Sequence, residues 1–375
     1  MSSAGPPRDQ ASSEAAGDSP SGPEVPPTVA PVLVPPGSPL SVPDAEGPPT
    51  ATPPTSRPGA SIFTIEGRSA PGLFVVGWLA TLVGAACIIV AVLSGGGTAA
   101  IVLLVVGLIL LSIGLIAGAG AQGIERRVRA KLPYRGPSPL LVFAAAIPVS
   151  VLIGVIISVP LALLDVPLDG PFGALLSVTV QAFVYIALVR LLVVDTGALD
   201  WRAMGVKALD ANAFAETGRG ALWAIPVIAV TALVSGVLLR IFPVVPVSPL
   251  PPTGDPTGFA VSLLAGVIVA PFGEEILFRA FATTAWVRGL GYRRGLVLAA
   301  LVFAFAHVLT ISGANAGDAF GLAVVGFGAR IPVALALGWI FLRRGTVWAS
   351  FGLHAAFNGI LLILAEVASR SLAAG

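Results

Sequence analysis

The sequence predicts an all-α fold, a polytopic transmembrane helix bundle of about nine spans, or eight on the lower count, with a disordered N-terminal tail. Three observations predict it. Hydrophobic residues make up 56% of the 375 residues and charged residues only 11%, with a mean hydropathy of +0.94. Apolar stretches of about 20 residues, enough for a helix to cross a bilayer, recur beyond Gly72. Proline is concentrated near the amino terminus. Soluble domains are far less apolar, so we expect an integral membrane protein.

The tail is expected at residues 1–60, which contain 16 of the 33 prolines together with Ser, Gly and scattered charge. Such a stretch cannot bury enough apolar surface to offset the entropy of an ordered chain. We predict a disordered, Pro-rich cytosolic segment that acts as a solvated spacer.

The apolar stretches beyond the tail divide into N-terminal transmembrane helices at 73–241 and a core at 242–370, which contains the polar motifs described below. The nine predicted spans lie near 73–94, 99–121, 139–160, 173–194, 220–241, 258–281, 295–312, 320–342 and 346–368.

Charges in the connecting loops predict the orientation. The loop after the second stretch carries five basic residues and one acidic residue, and the positive-inside rule makes such a loop cytosolic. Alternation then places the other basic loops on the same side, while the opposite loops carry aspartates and neither Lys nor Arg. We therefore predict a cytosolic N-terminus and a C-terminus outside. The Ala/Gly/Val-rich composition suggests a bacterial plasma membrane.

Composition also restricts the partners. The formal net charge is only +2, and the basic residues lie in short loops beside apolar stretches, so nucleic acid is excluded as a partner. The single cysteine, Cys87, forms neither an intramolecular disulfide nor a zinc-thiolate site by itself. The membrane lipid bilayer is the expected surrounding.

The first polar motif runs from Pro271 to Arg279. An ionisable side chain in hydrocarbon costs at least about 2.5 to 3.5 kcal/mol, so a cluster of them points to function. Adjacent helical residues project about 100° apart, whereas residues four apart share a face. Arg279 is therefore expected to pair with Glu275 and leave Glu274 free. Pro271 is expected to break or restart the helix just before the carboxylates, because proline lacks an N–H.

The two histidines of the chain supply the other two motifs, each at the same four-residue spacing. Phe303 and His307 place an imidazole beside an aromatic ring, and His354 and Asn358 place an imidazole and an amide on one helix face. Two such donors aimed at one point suit a developing oxyanion. Packing between helices explains each pair equally well when it is taken alone. Counting from the predicted span ends places all three motifs at one level in the cytosolic half.

Together these motifs resemble the CPBP family of intramembrane proteases, which is related to CAAX prenyl endopeptidases and to bacteriocin-immunity proteins. The family pattern is EExxxR, then FxxxH, then HxxxN or HxxxD on successive helices. The resemblance covers about residues 220 to 370. The matching residues are Glu274, Glu275, Arg279, Phe303, His307, His354 and Asn358.

By this resemblance the protein is a hydrolase, an intramembrane endopeptidase that cuts a membrane-associated peptide or protein. Glu274 would be the general base, and His307 would help to hold and activate water. His354 and Asn358 would stabilise the tetrahedral oxyanion. The supporting residues would be Glu275, Arg279 and Phe303.

Two alternatives stay open. The family has been called metalloproteases, and Glu274, His307 and His354 form an acceptable zinc set. The chain lacks HExxH, however, and two histidine ligands would use up the oxyanion donors, so the residues favour a reaction without a metal cofactor. The alternative function is a non-catalytic membrane scaffold or bacteriocin-immunity-type protein that keeps the cluster for packing.

Overall fold

A computed structural model describes residues 64–65, 68–128, 131–245 and 251–373. The predicted disordered tail at 1–60 lies outside the described residues. In the first half, a short antiparallel pair, β1 (Thr64–Ile65) and β2 (Arg68–Ser69), precedes the helices. The helices there are α1 (Pro71–Leu93), α2 (Thr98–Val128), α3 (Pro139–Leu163), α4 (Pro171–Val189) with a π-helical end at Arg190–Val194, α5 (Ala211–Ala221) and α6 (Ala224–Ile241).

The second half begins with one long helix, Pro256–Leu290, that alternates between α- and π-helical turns. Its parts are α7 (Pro256–Leu263), a π-helical segment (Leu264–Val269), α8 (Ala270–Glu274), a second π-helical segment (Glu275–Thr283) and α9 (Thr284–Leu290). Three further helices follow, α10 (Tyr292–Ala306), α11 (Ala316–Arg344) and α12 (Val347–Ala373).

Eight helices of the described part of the chain are long and apolar enough to cross a membrane, which confirms the predicted polytopic all-α class at its lower count. The difference from nine lies in the stretch predicted at 295–312. There α10 has 15 residues, rises about 22 Å and falls short of the ~30 Å hydrocarbon core. The helix ends because His307 occupies its C-cap, where the Nδ1 atom bonds the carbonyl oxygen of Phe303 at 2.8 Å.

Local sequence signals explain most of the helix starts. Proline occupies the first turn of α1, α3, α4 and α7, where its missing N–H removes no helical hydrogen bond. Asp210, Asp255 and Asn315 cap α5, α7 and α11 by accepting a hydrogen bond from a backbone N–H. Gly345, with a φ of +61°, ends α11 in the left-handed conformation that glycine tolerates best.

The helices α1 and α2 form a hairpin packed through glycines. A Cβ on Gly84 would lie 2.8 Å from the carbonyl oxygen of Gly107, so this approach needs a residue without a side chain. Only 11% of the apolar window of α1 is buried, which leaves its outer surface for lipid.

The core surrounds the π-helical segment Glu275–Thr283, in which all nine residues are buried. The ring of Phe278 lies 5.6 Å from that of Phe143 on α3, 6.2 Å from that of Tyr185 on α4 and 5.2 Å from that of Phe303 on α10. Helices from both halves of the chain therefore hold this segment at the centre of the bundle.

Candidate active site

The two glutamates lie where α8 changes into the π-helical segment, and their environments differ. Glu275 is fully buried, whereas the Glu274 side chain keeps 14% of its surface exposed. Single π-helical insertions inside α-helices occur frequently at functional sites, because they turn side chains out of the regular helical register. The chain stays helical through Pro271, so the predicted break does not occur. The predicted restart does occur: a π-helical segment ends at Val269, and α-helical turns begin again at Ala270 with Pro271 in the first turn.

Glu275 forms the buried centre of the site. Its Oε1 atom lies 3.6 Å from Nη1 of Arg279, as the four-residue spacing predicted, and 2.9 Å from Nδ1 of His354 on α12. The Arg279 guanidinium carbon lies 3.9 Å from the centroid of the Phe303 ring, a cation–π geometry. One carboxylate thus fixes an arginine and an imidazole from two helices, and Phe303 adds a third helix.

Glu274 faces both histidines. Its Oε2 atom lies 3.7 Å from Nε2 of His307 and 3.7 Å from Nε2 of His354. This oxygen is buried and accepts no hydrogen bond from any residue in the described part of the chain. The structure therefore brings the carboxylate of one predicted motif and the imidazoles of the other two to a common point.

Hydrogen bonds at Nδ1 determine which nitrogen carries the hydrogen in each histidine ring. A carbonyl oxygen only accepts, so Nδ1 of His307 carries hydrogen and donates to Phe303. The Glu275 carboxylate likewise accepts from Nδ1 of His354. Nε2 is then the acceptor nitrogen of each neutral ring, and it becomes a donor when that ring is protonated. Both imidazoles consequently direct their reactive nitrogen at Glu274.

Asn358 lies one turn beyond His354 on α12, and its Nδ2 donates to the carbonyl of Gly266 at 2.9 Å. This contact joins α12 to the first π-helical segment. An amide nitrogen has two N–H groups, so one donor remains after this bond. The predicted pairing of Asn358 with an oxyanion is therefore chemically compatible with its position, although its observed partner is a backbone carbonyl.

The convergence of Glu274 Oε2 and two Nε2 atoms raises the question of a metal. Zinc bonds of about 2.0 to 2.2 Å at tetrahedral angles place ligand atoms roughly 3.3 to 3.5 Å apart. The carboxylate-to-imidazole distances are 3.7 Å. Within the ranges that the structure describes, no three His, Cys, Asp or Glu side chains are arranged to hold a metal ion.

Two residues outside the predicted site set also border it. Ser350 is buried one turn before His354 and close to Glu275, and its hydroxyl donates to the Val347 carbonyl at 3.0 Å. The spacing of four residues between Ser350 and His354 could have identified it as a site residue from the sequence. Arg330 on α11 donates to the carbonyl of Gly326 at 2.9 Å and interacts electrostatically with Glu274. The position of this charged residue in the middle of an apolar helix could have identified it in the same way.

Comparison with protein families matches residues 256–360 to the Rce1-like family, described as type II CAAX prenyl endopeptidase Rce1-like. This segment contains all the residues of the three motifs. No curated protein and no solved structure matches the chain. The chain is therefore similar, over the segment that holds the site, to the Rce1-like type II CAAX prenyl endopeptidases, which confirms the family resemblance drawn from its motifs.

Proposed function

We propose that this protein is an intramembrane endopeptidase that hydrolyses a peptide bond with water activated by Glu274. The observation that carries the proposal is the position of the Glu274 Oε2 atom, buried and 3.7 Å from Nε2 of both histidines. That separation is too long for a direct hydrogen bond and suits a bridging water. The family match supports protease activity in general.

The hydrogen bonds of the two rings support a different role for each. Neutral His307 presents an Nε2 lone pair, so a water can donate one hydrogen to this nitrogen and the other to Glu274. Both bonds orient the water oxygen toward a substrate carbonyl. His354 acts in its protonated form, in which Nε2–H donates to the oxyanion while the Glu275 carboxylate stabilises the positive ring. The remaining N–H of Asn358 is the second oxyanion donor.

The proposed reaction proceeds in two steps. The water oxygen forms a bond to the carbonyl carbon, and its proton passes to Glu274, which leaves a tetrahedral oxyanion. Collapse of the oxyanion breaks the carbon–nitrogen bond, and Glu274 returns the proton to the leaving amine. The products are a carboxylic acid, which keeps the second hydrogen of the water, and an amine; proton transfer between them gives a carboxylate and an ammonium, and no cofactor takes part.

The setting supports a membrane-associated peptide or protein as substrate. Eight apolar helices support an integral membrane protein in a lipid bilayer. The proposed catalytic residues all lie in 242–370, and Phe143 and Tyr185 from the helices at 73–241 pack behind them. We extend the proposal to a catalytic core at 242–370, a bacterial plasma membrane and a cytosolic N-terminus. Eight spans return the chain to the side on which it started, so the predicted C-terminus outside requires the short helix α10 to cross as a ninth span.

The test uses the full chain in proteoliposomes and an internally quenched peptide with a prenylated cysteine near its carboxyl terminus. Cleavage in oxygen-18 water is expected to place one label in the new carboxylate. Glu274→Gln, His307→Ala and His354→Ala are each expected to abolish cleavage at unchanged membrane abundance. Asp165→Asn is the matched control, because it makes the same carboxyl-to-amide change at an exposed turn after α3.

A second readout does not depend on the chosen peptide. New carboxyl-terminal peptides are compared in membranes that carry either the wild type or Glu274→Gln, and the proposal expects products that only the wild type makes. Equal cleavage by Glu274→Gln, or identical sets of new termini, contradicts the proposal. Joint loss of abundance and partner binding in all three variants, with no cleavage product, favours the scaffold or immunity-type alternative.

A further inference from the structure

A cavity with two arginines in its wall lies apart from the candidate active site, at the ends of α9 and α11. Its volume is about 230 Å³, and its walls include Arg202 from the connection after α4, Thr284 and Arg288 from α9, and Phe341 from α11. No residue of the three motifs lines it. The cavity therefore needs an explanation separate from peptide hydrolysis.

The charged side chains that line the cavity are all positive. Neither Arg202 nor Arg288 forms an ion pair or a hydrogen bond with another residue of the described ranges, and no acidic side chain lines the cavity. Asp200, close to Arg202 in the sequence, accepts the backbone N–H of Ala203 at 2.7 Å. Arg344, by contrast, is paired with Glu216 on α5 at 2.7 Å. Two exposed guanidinium groups with no acidic partner at one concave surface indicate an anionic ligand.

Two glycines and two apolar side chains form the rest of the wall that matters for binding. Gly205 and Gly345 line the cavity with φ angles of +73° and +61°, and the N–H of Val347 donates to the carbonyl of Gly205 at 3.0 Å. This bond ties the connection after α4 to the turn between α11 and α12. Phe341 and Val287 supply apolar surface, so the ligand has both an anionic part and an apolar part.

The position in the bundle identifies the kind of anion. The cavity lies at the helix ends that carry Arg288 and Arg344, and such ends meet the headgroup layer of a bilayer. Guanidinium groups bind phosphate oxygens in a bidentate manner, and basic pockets between membrane helices bind lipid headgroups. We propose that this cavity binds the phosphate group of an anionic phospholipid. The glycerol region of the lipid then packs against Phe341 and Val287.

The test measures lipid affinity and the unfolding temperature of the delipidated full chain with added phosphatidylglycerol, phosphatidylcholine or inorganic phosphate. The wild type is expected to be stabilised more by phosphatidylglycerol than by the other two. Arg202→Gln combined with Arg288→Gln removes both guanidinium groups. Its affinity for phosphatidylglycerol is expected to fall at least about tenfold further than that of the control, because each charge-assisted bond contributes roughly tenfold.

The matched control is Arg293→Gln combined with Arg294→Gln, which removes two exposed charges beside α9 that do not line the cavity. Thr284→Val tests the cavity without changing its charge and is expected to weaken phosphatidylglycerol binding moderately. Equal losses in both double variants show a general surface-charge effect and overturn the proposal. Equal stabilisation by phosphatidylcholine also overturns it. Equal stabilisation by inorganic phosphate assigns the site to free phosphate instead of lipid.

Discussion

The Nδ1 atom of His354 lies 2.9 Å from Oε1 of Glu275, and the Nε2 atom of the same ring lies 3.7 Å from Oε2 of the neighbouring Glu274. Two adjacent carboxylates therefore contact opposite nitrogens of one imidazole. The fully buried Glu275 orients the ring and is neutralised by Arg279, while the more accessible Glu274 faces the Nε2 atoms of His307 and His354. This difference supports a structural role for Glu275 and the catalytic role that we propose for Glu274.

Glutamine substitutions at these two positions are expected to separate stability from activity. Glu275→Gln leaves Arg279 as an uncompensated buried charge, and we expect a loss of about 3 to 5 kcal/mol in the free energy of unfolding. Glu274→Gln removes no ion pair with an arginine, so its free energy of unfolding should change by less than about 1 kcal/mol while hydrolysis is lost. Denaturant titration in detergent and peptide cleavage measure the two effects, and equal destabilisation by both variants would contradict this division.

The contact between Arg279 and Phe303 gives a prediction about coupling. The guanidinium carbon is 3.9 Å from the ring centroid in a buried environment, where a cation–π contact is worth about 2 kcal/mol. Phe303→Leu and Arg279→Lys are each expected to destabilise the protein, and the double variant should lose about 1 to 2 kcal/mol less than the sum. Additive losses of unfolding free energy would show that the ring only fills space.

Spacing along the sequence was sufficient to predict much of this site. Residues four apart on a helix share a face, and this rule places Arg279 beside Glu275 and His307 beside Phe303. Apolar length identified the membrane helices, because a bilayer imposes a nearly fixed span. Both signals depend only on local geometry, so a single sequence carries them.

Contacts between helices could not be predicted in the same way. The bond from His354 to Glu275 joins residues 79 positions apart, and the bond from Asn358 to Gly266 joins residues 92 apart. The π-helical turns around Pro271 also depend on packing against neighbouring helices, and the helix propensity of the local sequence carries no information about that packing. The early end of α10 at His307 has the same origin, since an apolar stretch does not reveal where a side chain will cap a carbonyl.

The geometry around Glu274 predicts that hydrolysis does not require a metal. The carboxylate and imidazole atoms bond a water in the proposed reaction, and their 3.7 Å separations exceed the roughly 3.3 to 3.5 Å between neighbouring ligands of a tetrahedral zinc ion. Activity after dialysis against EDTA and 1,10-phenanthroline is expected to equal that of the untreated protein in the same proteoliposomes. Loss of cleavage that added zinc alone restores would assign Glu274, His307 and His354 to a metal site instead.

Asn358 is expected to act on the transition state more than on the fold. Its bond to Gly266 is one contact between membrane helices, so Asn358→Ala should cost only about 1 kcal/mol of stability. If its second N–H meets the oxyanion, turnover should fall by about 10²- to 10³-fold with little change in KM, because the ground-state carbonyl is bound weakly. Gln181→Ala on α4 is the control for loss of an amide within an apolar helix. A raised KM with unchanged turnover would make Asn358 a substrate-binding residue and leave His354 as the proposed oxyanion donor.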